Sequence, residues 1–156
     1  VGLALVAAVA IGAVMNKEAI MADGDLVLLP LAPVDPRSLI QGDYMRLDYA
    51  MNRDLAGSKN WPDDGHVVMR LDEHDVATFV QIYYGQPLAE SEIRLRYRRR
   101  GGRFKIGPNA FYFQEGHAPH YEDARYGAVR VSHSGDVVLV GLRNEDFTPS
   151  GPPVGE

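Results

Sequence analysis

Cysteine is absent from the 156-residue chain, which excludes a disulfide framework and a thiolate metal site. The same absence suits any compartment, including an oxidising one where a stray thiol is a liability. A positive balance is missing as well. The formal net charge is −5, whereas nucleic-acid binders are normally basic, so no nucleic-acid partner is expected. Nor is there a Gly-x-Ser-x-Gly elbow or a Ser-x-x-Lys pair, the marks of two common serine-nucleophile arrangements. The chain is long enough for one domain with a real core and hardly for two. Its 16 glycines, 10 prolines and 8 tyrosines suit a sheet-rich protein with many turns.

Val1 to Met15 (VGLALVAAVAIGAVM) carries no charge and no strongly polar side chain, and Lys17 is the first charge. A helix of about 15 residues reaches about 22 Å, short of the ~20 residues that a ~30 Å hydrocarbon core needs. A first residue of Val instead of Met fits a sequence that begins inside a longer chain. Three readings compete: an uncleaved anchor, the apolar part of a cleaved signal peptide, and a buried soluble helix. Ala8-Val9-Ala10 has small-x-small form but lies inside the apolar run, and no convincing site follows Met15. An anchor helix over residues 1–22 is therefore expected, stopped by Asp23-Gly24.

Strand patterns follow. Leu26 to Leu31 is apolar, and Pro30 makes it an edge strand or a strand that ends there. In Gly42-Asp43-Tyr44-Met45-Arg46-Leu47-Asp48-Tyr49 a turn runs into strict alternation, with Met45, Leu47, Tyr49 and Met51 on one face and Tyr44, Arg46, Asp48 and Ala50 on the other. Asn52 to Asp64 reads as loop. Gly65 to Tyr84 reads as a hairpin, Glu92 to Arg100 as a strand that turns at Gly101-Gly102 into Arg103 to Ile106, and Ala110 to Gln114 as a further strand. His117 to Arg125 suggests one helical turn, and Ala128 to Leu142 a last hairpin about Ser134-Gly135. The expected fold is all-β: a single β-barrel or sandwich-like domain of about eight strands after an N-terminal transmembrane helix. Residues 1–22 would be the anchor, 23–143 the β domain and 144–156 a flexible tail.

The string GDYMRLDY fits the signature of the bacterial GDYXXLXY family, and four more stretches resemble it: Ala32-Pro33-Val34-Asp35-Pro36-Arg37, Phe111 to Gly116, Ala124-Arg125-Tyr126-Gly127 and Val140-Gly141-Leu142-Arg143. The resemblance implies a membrane-anchored protein without an established biochemical activity, its C-terminal domain extracytoplasmic on the bacterial inner membrane, with a multi-pass membrane protein as partner. A second, distant similarity in layout is to type I signal peptidases, through Gly42-Asp43 and Gly116 to Tyr126. Their nucleophilic serine precedes the Gly-Asp strand, where this chain reads Pro33-Val34-Asp35-Pro36. Shared architecture without shared catalysis is what that departure implies.

Candidate binding residues are Asp35, Arg37, Asp43, Tyr44, Arg46, Glu115, Arg125 and Tyr126, opposite charges and aromatics near turns around the opening strand. The bland alternative is that Asp35 and Asp43 accept backbone N–H groups in their turns. Glu115 to Asp123 is rich in His and carboxylate, but its spacing matches no metal motif and Pro119 breaks a helical pairing of His117 with His120. No metal, cofactor or catalytic set is expected. Between Arg94 and Lys105 stand seven basic residues, either a face for anionic lipid or arginines that keep an edge hairpin soluble. The function expected is a non-enzymatic, membrane-anchored binding or accessory domain of the cell envelope. The alternative is a hydrolase or ligand-processing enzyme with a carboxylate and arginine site built from Asp35, Asp43 and Glu115 with Arg37 and Arg125.

Overall fold

A computed structural model describes residues 2–32, 40–56 and 60–152. Helix α1 (Gly2–Asp23) is followed by strands β1 (Asp25–Pro30), β2 (Ile40–Gln41) and β3 (Tyr44–Arg46), then a short helix α2 (Met51–Ala56). Next come β4 (Asp64–Leu71), β5 (Ala77–Tyr83), β6 (Glu92–Arg100), β7 (Arg103–Lys105) and β8 (Ala110–Tyr112). A 3-10 turn at Ala118–Tyr121 precedes β9 (Tyr126–Val131), β10 (Val137–Arg143) and β11 (Pro149–Ser150). They form three sheets, ordered β1-β9-β10-β11, β2-β3-β8 and β5-β4-β6-β7. These curl into the expected all-β, sandwich-like fold behind one apolar helix. More strands are found than the pattern predicts because β2 and β11 have only 2 residues each, too few for alternation to register. The residues after Arg143 turn back, and β11 pairs with Leu142 and Arg143.

The strand pattern reflects simple local causes. Gly101 and Gly102 both have positive φ, 57° and 74°, as a two-residue turn of hairpin twist requires, and Arg98 pairs with Lys105 across it. Pro30 ends β1, which lies at a sheet edge where its missing N–H costs no ladder bond. Val67, Val68 and Met69 in β4 are all fully buried, which departs from strict alternation. β4 is a central strand between β5 and β6 and is covered on both faces, where alternation no longer separates inside from outside. The extra residue at the register shift against β5 is Val80, on β5.

The GDYMRLDY stretch joins the sheets. Gly42, at φ 64°, takes the first central position of the β2–β3 hairpin, a place that needs positive φ. Alternation persists beyond β3: Met45, Leu47, Tyr49 and Met51 are buried. The ladder partner changes along the way. Tyr44 to Arg46 pair with β8, and the Leu47 N–H donates to the Asn109 carbonyl at 2.9 Å. The Asp48 carbonyl then accepts from the Ala32 N–H at 2.7 Å, and Tyr49 bridges to Leu31. One extended run thus closes the small sheet against the end of β1. Asn52 to Ala56, expected as loop, is helical because Met51 and Leu55, one turn apart, are both buried.

Tyr49 is 2% exposed, and its hydroxyl donates to the Pro108 carbonyl at 3.0 Å. Burial raises its pKa far above the ordinary tyrosine value. Its ring rests on backbone: a Cβ placed on Gly127 of β9 would meet the Tyr49 ring carbon Cε1 at 3.0 Å. Two of the stretches that define the sequence pattern, GDYMRLDY and ARYG, therefore meet at this contact.

Two predictions follow from these contacts. Tyr49→Phe leaves the fold intact and costs about 1 kcal/mol through the lost hydrogen bond, while Gly127→Ala costs roughly 1–3 kcal/mol by overpacking. In Tyr49→Leu with Gly127→Ala the combined loss is smaller than the sum of the single losses. Urea denaturation of the four variants checks this, and strict additivity would show that the two residues do not touch. The second concerns the β4–β5 turn, where Asp72 accepts N–H groups of His74 at 2.8 Å and Val76 at 2.9 Å. Hydrogen bonds from Val76 and then His74 hold its carboxyl below the ordinary range. A folded value below the unfolded one gives stability above the unfolded pKa that disappears as pH falls through the folded pKa. Asp72→Asn accordingly lowers the melting temperature near neutral pH, and the difference from wild type vanishes in acid.

Candidate functional site

The described residues among those singled out in the sequence fall in three places. Asp43 lies exposed at the tip of the β2–β3 hairpin, its carbonyl accepting the Phe113 N–H at 3.0 Å. Glu115, also exposed, follows two residues beyond Phe113. Tyr44 donates its hydroxyl to Gln41 Oε1 at 2.7 Å and packs its ring 5.5 Å from Tyr112, which is 75% exposed. Arg125 is held elsewhere. Its N–H donates to the Arg143 carbonyl at 2.8 Å and its guanidinium to the Ala124 carbonyl at 3.1 Å, while Tyr126 stacks near Phe147 at 5.4 Å. Asp35 and Arg37 lie outside the described residues, as does the Pro33 to Pro36 position opposite the peptidase serine. The aromatic stripe divides by alternation: Phe111 and Phe113 turn inward to Tyr121, at 5.1 and 5.0 Å, and Tyr112 turns outward. His117 and His120 touch edge to face at 5.7 Å. Among the described residues no three His, Asp or Glu side chains gather to hold a metal.

Arg46 belongs to a different setting from the other candidates. With Asp48, Asn52, Arg103, Lys105 and Asn109 it lines a groove of about 520 Å³ whose apolar floor includes Tyr49 and Ile106. Three elements make it: the outward residues of the GDYMRLDY run, the first turn of α2, and β7 with the loop that follows. Asn52 donates its amide to Asp48 Oδ1 at 3.2 Å. Its own Oδ1 is buried, and among the described residues it is the side-chain atom left without a partner. Such an acceptor is costly unless a donor arrives.

Lys105 and Gly107 also line a second groove of about 440 Å³, with Arg96, Arg98, Arg100, Asp136 and Val137. Arg96, Arg98 and Arg100 are alternate residues of β6, so they point the same way about 6.6 Å apart. Arg96 pairs with Asp136 at 3.5 Å, and Arg98 and Arg100 share Asp64 at 3.8 and 3.5 Å. Lys105, Arg103 and Arg46 form no ion pair among the described residues. The two grooves, joined at Lys105, make a cationic trough in a protein of net charge −5. Its chemistry suits an anion. It offers several donors and few carboxylates, without a nucleophile set beside a base.

Sequence reasoning found the basic run and Arg46 separately and missed that they join. The link to β7 was half legible, because a two-residue Gly-Gly turn fixes Arg98 opposite Lys105. Arg46 could not be added, since its neighbourhood depends on β3 pairing with β8 and on the Gly107 to Asn109 loop. Asn52 was hidden by the reading of its segment as loop.

The chain matches the family model described as "GDYXXLXY protein" over residues 6–142. No curated protein and no solved structure matches it. The family match covers α1 from Val6 onward, the motif strand with Tyr49, the Gly127 contact and β10 as far as Leu142. On that extent, the chain belongs to the GDYXXLXY protein family.

Proposed function

We propose that this protein is a single-pass, membrane-anchored domain of the bacterial envelope that works by binding, as an accessory to a multi-pass membrane protein, with its β domain outside the cytoplasm. The observation that carries the reading is α1. Ala4–Asp23 is long and apolar enough to cross a membrane. Leu5, Val6, Val9, Ile11, Val14 and Met15 are each more than half exposed, and at 100° per residue they point to every side of the helix. A helix apolar all round needs lipid or other apolar cover on every side.

The lower end of the same helix belongs to the β domain. Ile20 is 5% exposed where the last turns meet β9 and β10. The Gly24 N–H donates to the Ile20 carbonyl at 2.9 Å, and the Arg130 guanidinium to the Gly24 carbonyl at 2.8 Å. A segment packed into the domain in this way suits a retained anchor better than a discarded signal. The cationic trough, without a recognisable catalytic pair, suits a binding role better than a hydrolytic one.

Fractionation of cells producing the full chain tests the anchor. The protein stays in the membrane pellet through alkaline carbonate and leaves it with detergent, and its mass retains the residues before Gly24. Val9→Arg with Val14→Arg reduces insertion roughly a thousandfold or more, at about 2.5–3.5 kcal/mol for each central arginine. A mature chain that begins after α1, or release by carbonate, would refute the reading.

A further inference from the structure

We infer that the cationic trough is a docking site for an extended acidic segment of the partner protein, whose carboxylates lie among Arg46, Arg96, Arg98, Arg100, Arg103 and Lys105. The inference deepens the accessory reading and rests on it, because it names the part of a partner that the domain holds.

Register brings the charges together. Across the β6–β7 hairpin Arg98 stands opposite Lys105 and Arg100 opposite Arg103, and residues opposite each other in a ladder share a face. With Arg96, two positions before Arg98, that end of the face carries five cations on two neighbouring strands. Both cross-strand pairs are like-charged, which costs stability unless an anion comes between them. Arg103 and Lys105 by themselves fit charges that keep the edge strand β7 from pairing. Arg46 does not fit that role. It comes from β3, the middle strand of a different sheet, yet it lines the same groove as both.

The protein's own carboxylates answer these cations only in part. Asp48 and Asp136 line the trough and Asp64 reaches Arg98 and Arg100 from β4, so six cations face three carboxylates. Asp48 is engaged by the Asn52 amide, and the ion pairs of Asp136 and Asp64 are 3.5 to 3.8 Å long. Exposed pairs of this kind are weak and exchange readily. Arg46, Arg103 and Lys105 have no ion pair at all among the described residues. Because salt confines charge effects to about 8 Å, an acidic segment meets this local field and not the net −5 of the chain.

Size and hydrogen bonding favour a peptide over a small anion. Arg96 to Arg100 alone extends about 13 Å along β6, and the groove at Arg46 adds to that length. A small carboxylate or a phosphate reaches one or two of these groups, whereas an extended segment of about six residues covers about 20 Å. Its alternate side chains repeat at about 6.6 Å, the spacing of Arg96, Arg98 and Arg100. Asn52 lines the first groove with a buried Oδ1 that lacks a donor. A carboxylate alone supplies none, while a peptide backbone carries an N–H beside each acidic side chain.

The test titrates the full chain, held in nanodiscs of phosphatidylcholine, into a fluorescent hexapeptide of alternating glutamate and glycine blocked at both ends, and follows the anisotropy. This hexapeptide binds saturably at low salt, and one of alternating lysine and glycine does not. Arg46→Gln with Lys105→Gln weakens binding about fivefold or more, each exposed contact being worth up to about fivefold. Arg70→Gln, whose partner Glu92 lies outside the trough, leaves it unchanged. Added salt weakens the wild type more steeply than the double variant, and the variants keep the near-ultraviolet circular dichroism of the wild type. Displacement of the hexapeptide by inorganic phosphate or free glutamate at equal concentration would overturn the peptide assignment in favour of a small anion. No binding at low salt, or equal binding by the double variant, would overturn the docking site and leave the anchor standing. A chain that leaves the discs would overturn the anchored reading, and the assignment to a membrane partner with it.

Discussion

A tyrosine ring laid on bare backbone sets the geometry of this domain. Tyr49 is almost fully buried and anchors its hydroxyl on Pro108, with Gly127 beneath the ring. The contact draws three distant parts of the chain together: the motif strand, the loop after β7 and the start of β9. Each imposes its own requirement. The strand must bring an aromatic inward after Met45 and Leu47, the loop must offer a free carbonyl, and β9 must present a residue without a side chain. Two of these are letters of the sequence pattern, the Tyr at its end and the Gly of ARYG. The shared pattern thus records a packing constraint before it records any chemistry.

Other letters of the motif divide along the same line. Gly42 supplies a backbone conformation that L side chains avoid, and Leu47 fills core. Asp43 contributes a backbone carbonyl to pairing with β8. Tyr44 and Arg46 face outward, and they face different things: Tyr44 stacks with Tyr112, while Arg46 looks into the groove shared with Lys105. Of the outward residues of this strand, Arg46 and Asp48 line the trough, and Arg46 is its cation.

The fold class was legible because its signals are local. Gly-Gly and Ser-Gly turns, alternation in β3 and β6, and a proline that ends β1 each state their role within a few residues. Helix α2 was not legible, since Asn52 and Asp54 argue for loop and only the burial of Met51 and Leu55 overrides them. The doubly buried stretch in β4 was hidden for a related reason: burial of a strand's second face depends on what packs there, and that is not written in the strand itself. The trough was the least legible feature of all. Its two lobes come from β3, α2, β6, β7 and the β9–β10 turn, joined by register and by one lysine that no periodicity marks.

The junction below α1 also has a mechanical side. Gly24 has no room for a side chain, because a Cβ there would run into the Ile20 carbonyl oxygen and come within 3.0 Å of that of Val131. With Arg130 bonded to its carbonyl, the joint between helix and sheet is held from both sides. A rotation of the helix about its own axis is thereby passed to the β domain through this joint, as a crank turns with its shaft. Whatever holds the helix sets the compass bearing of every face of the domain.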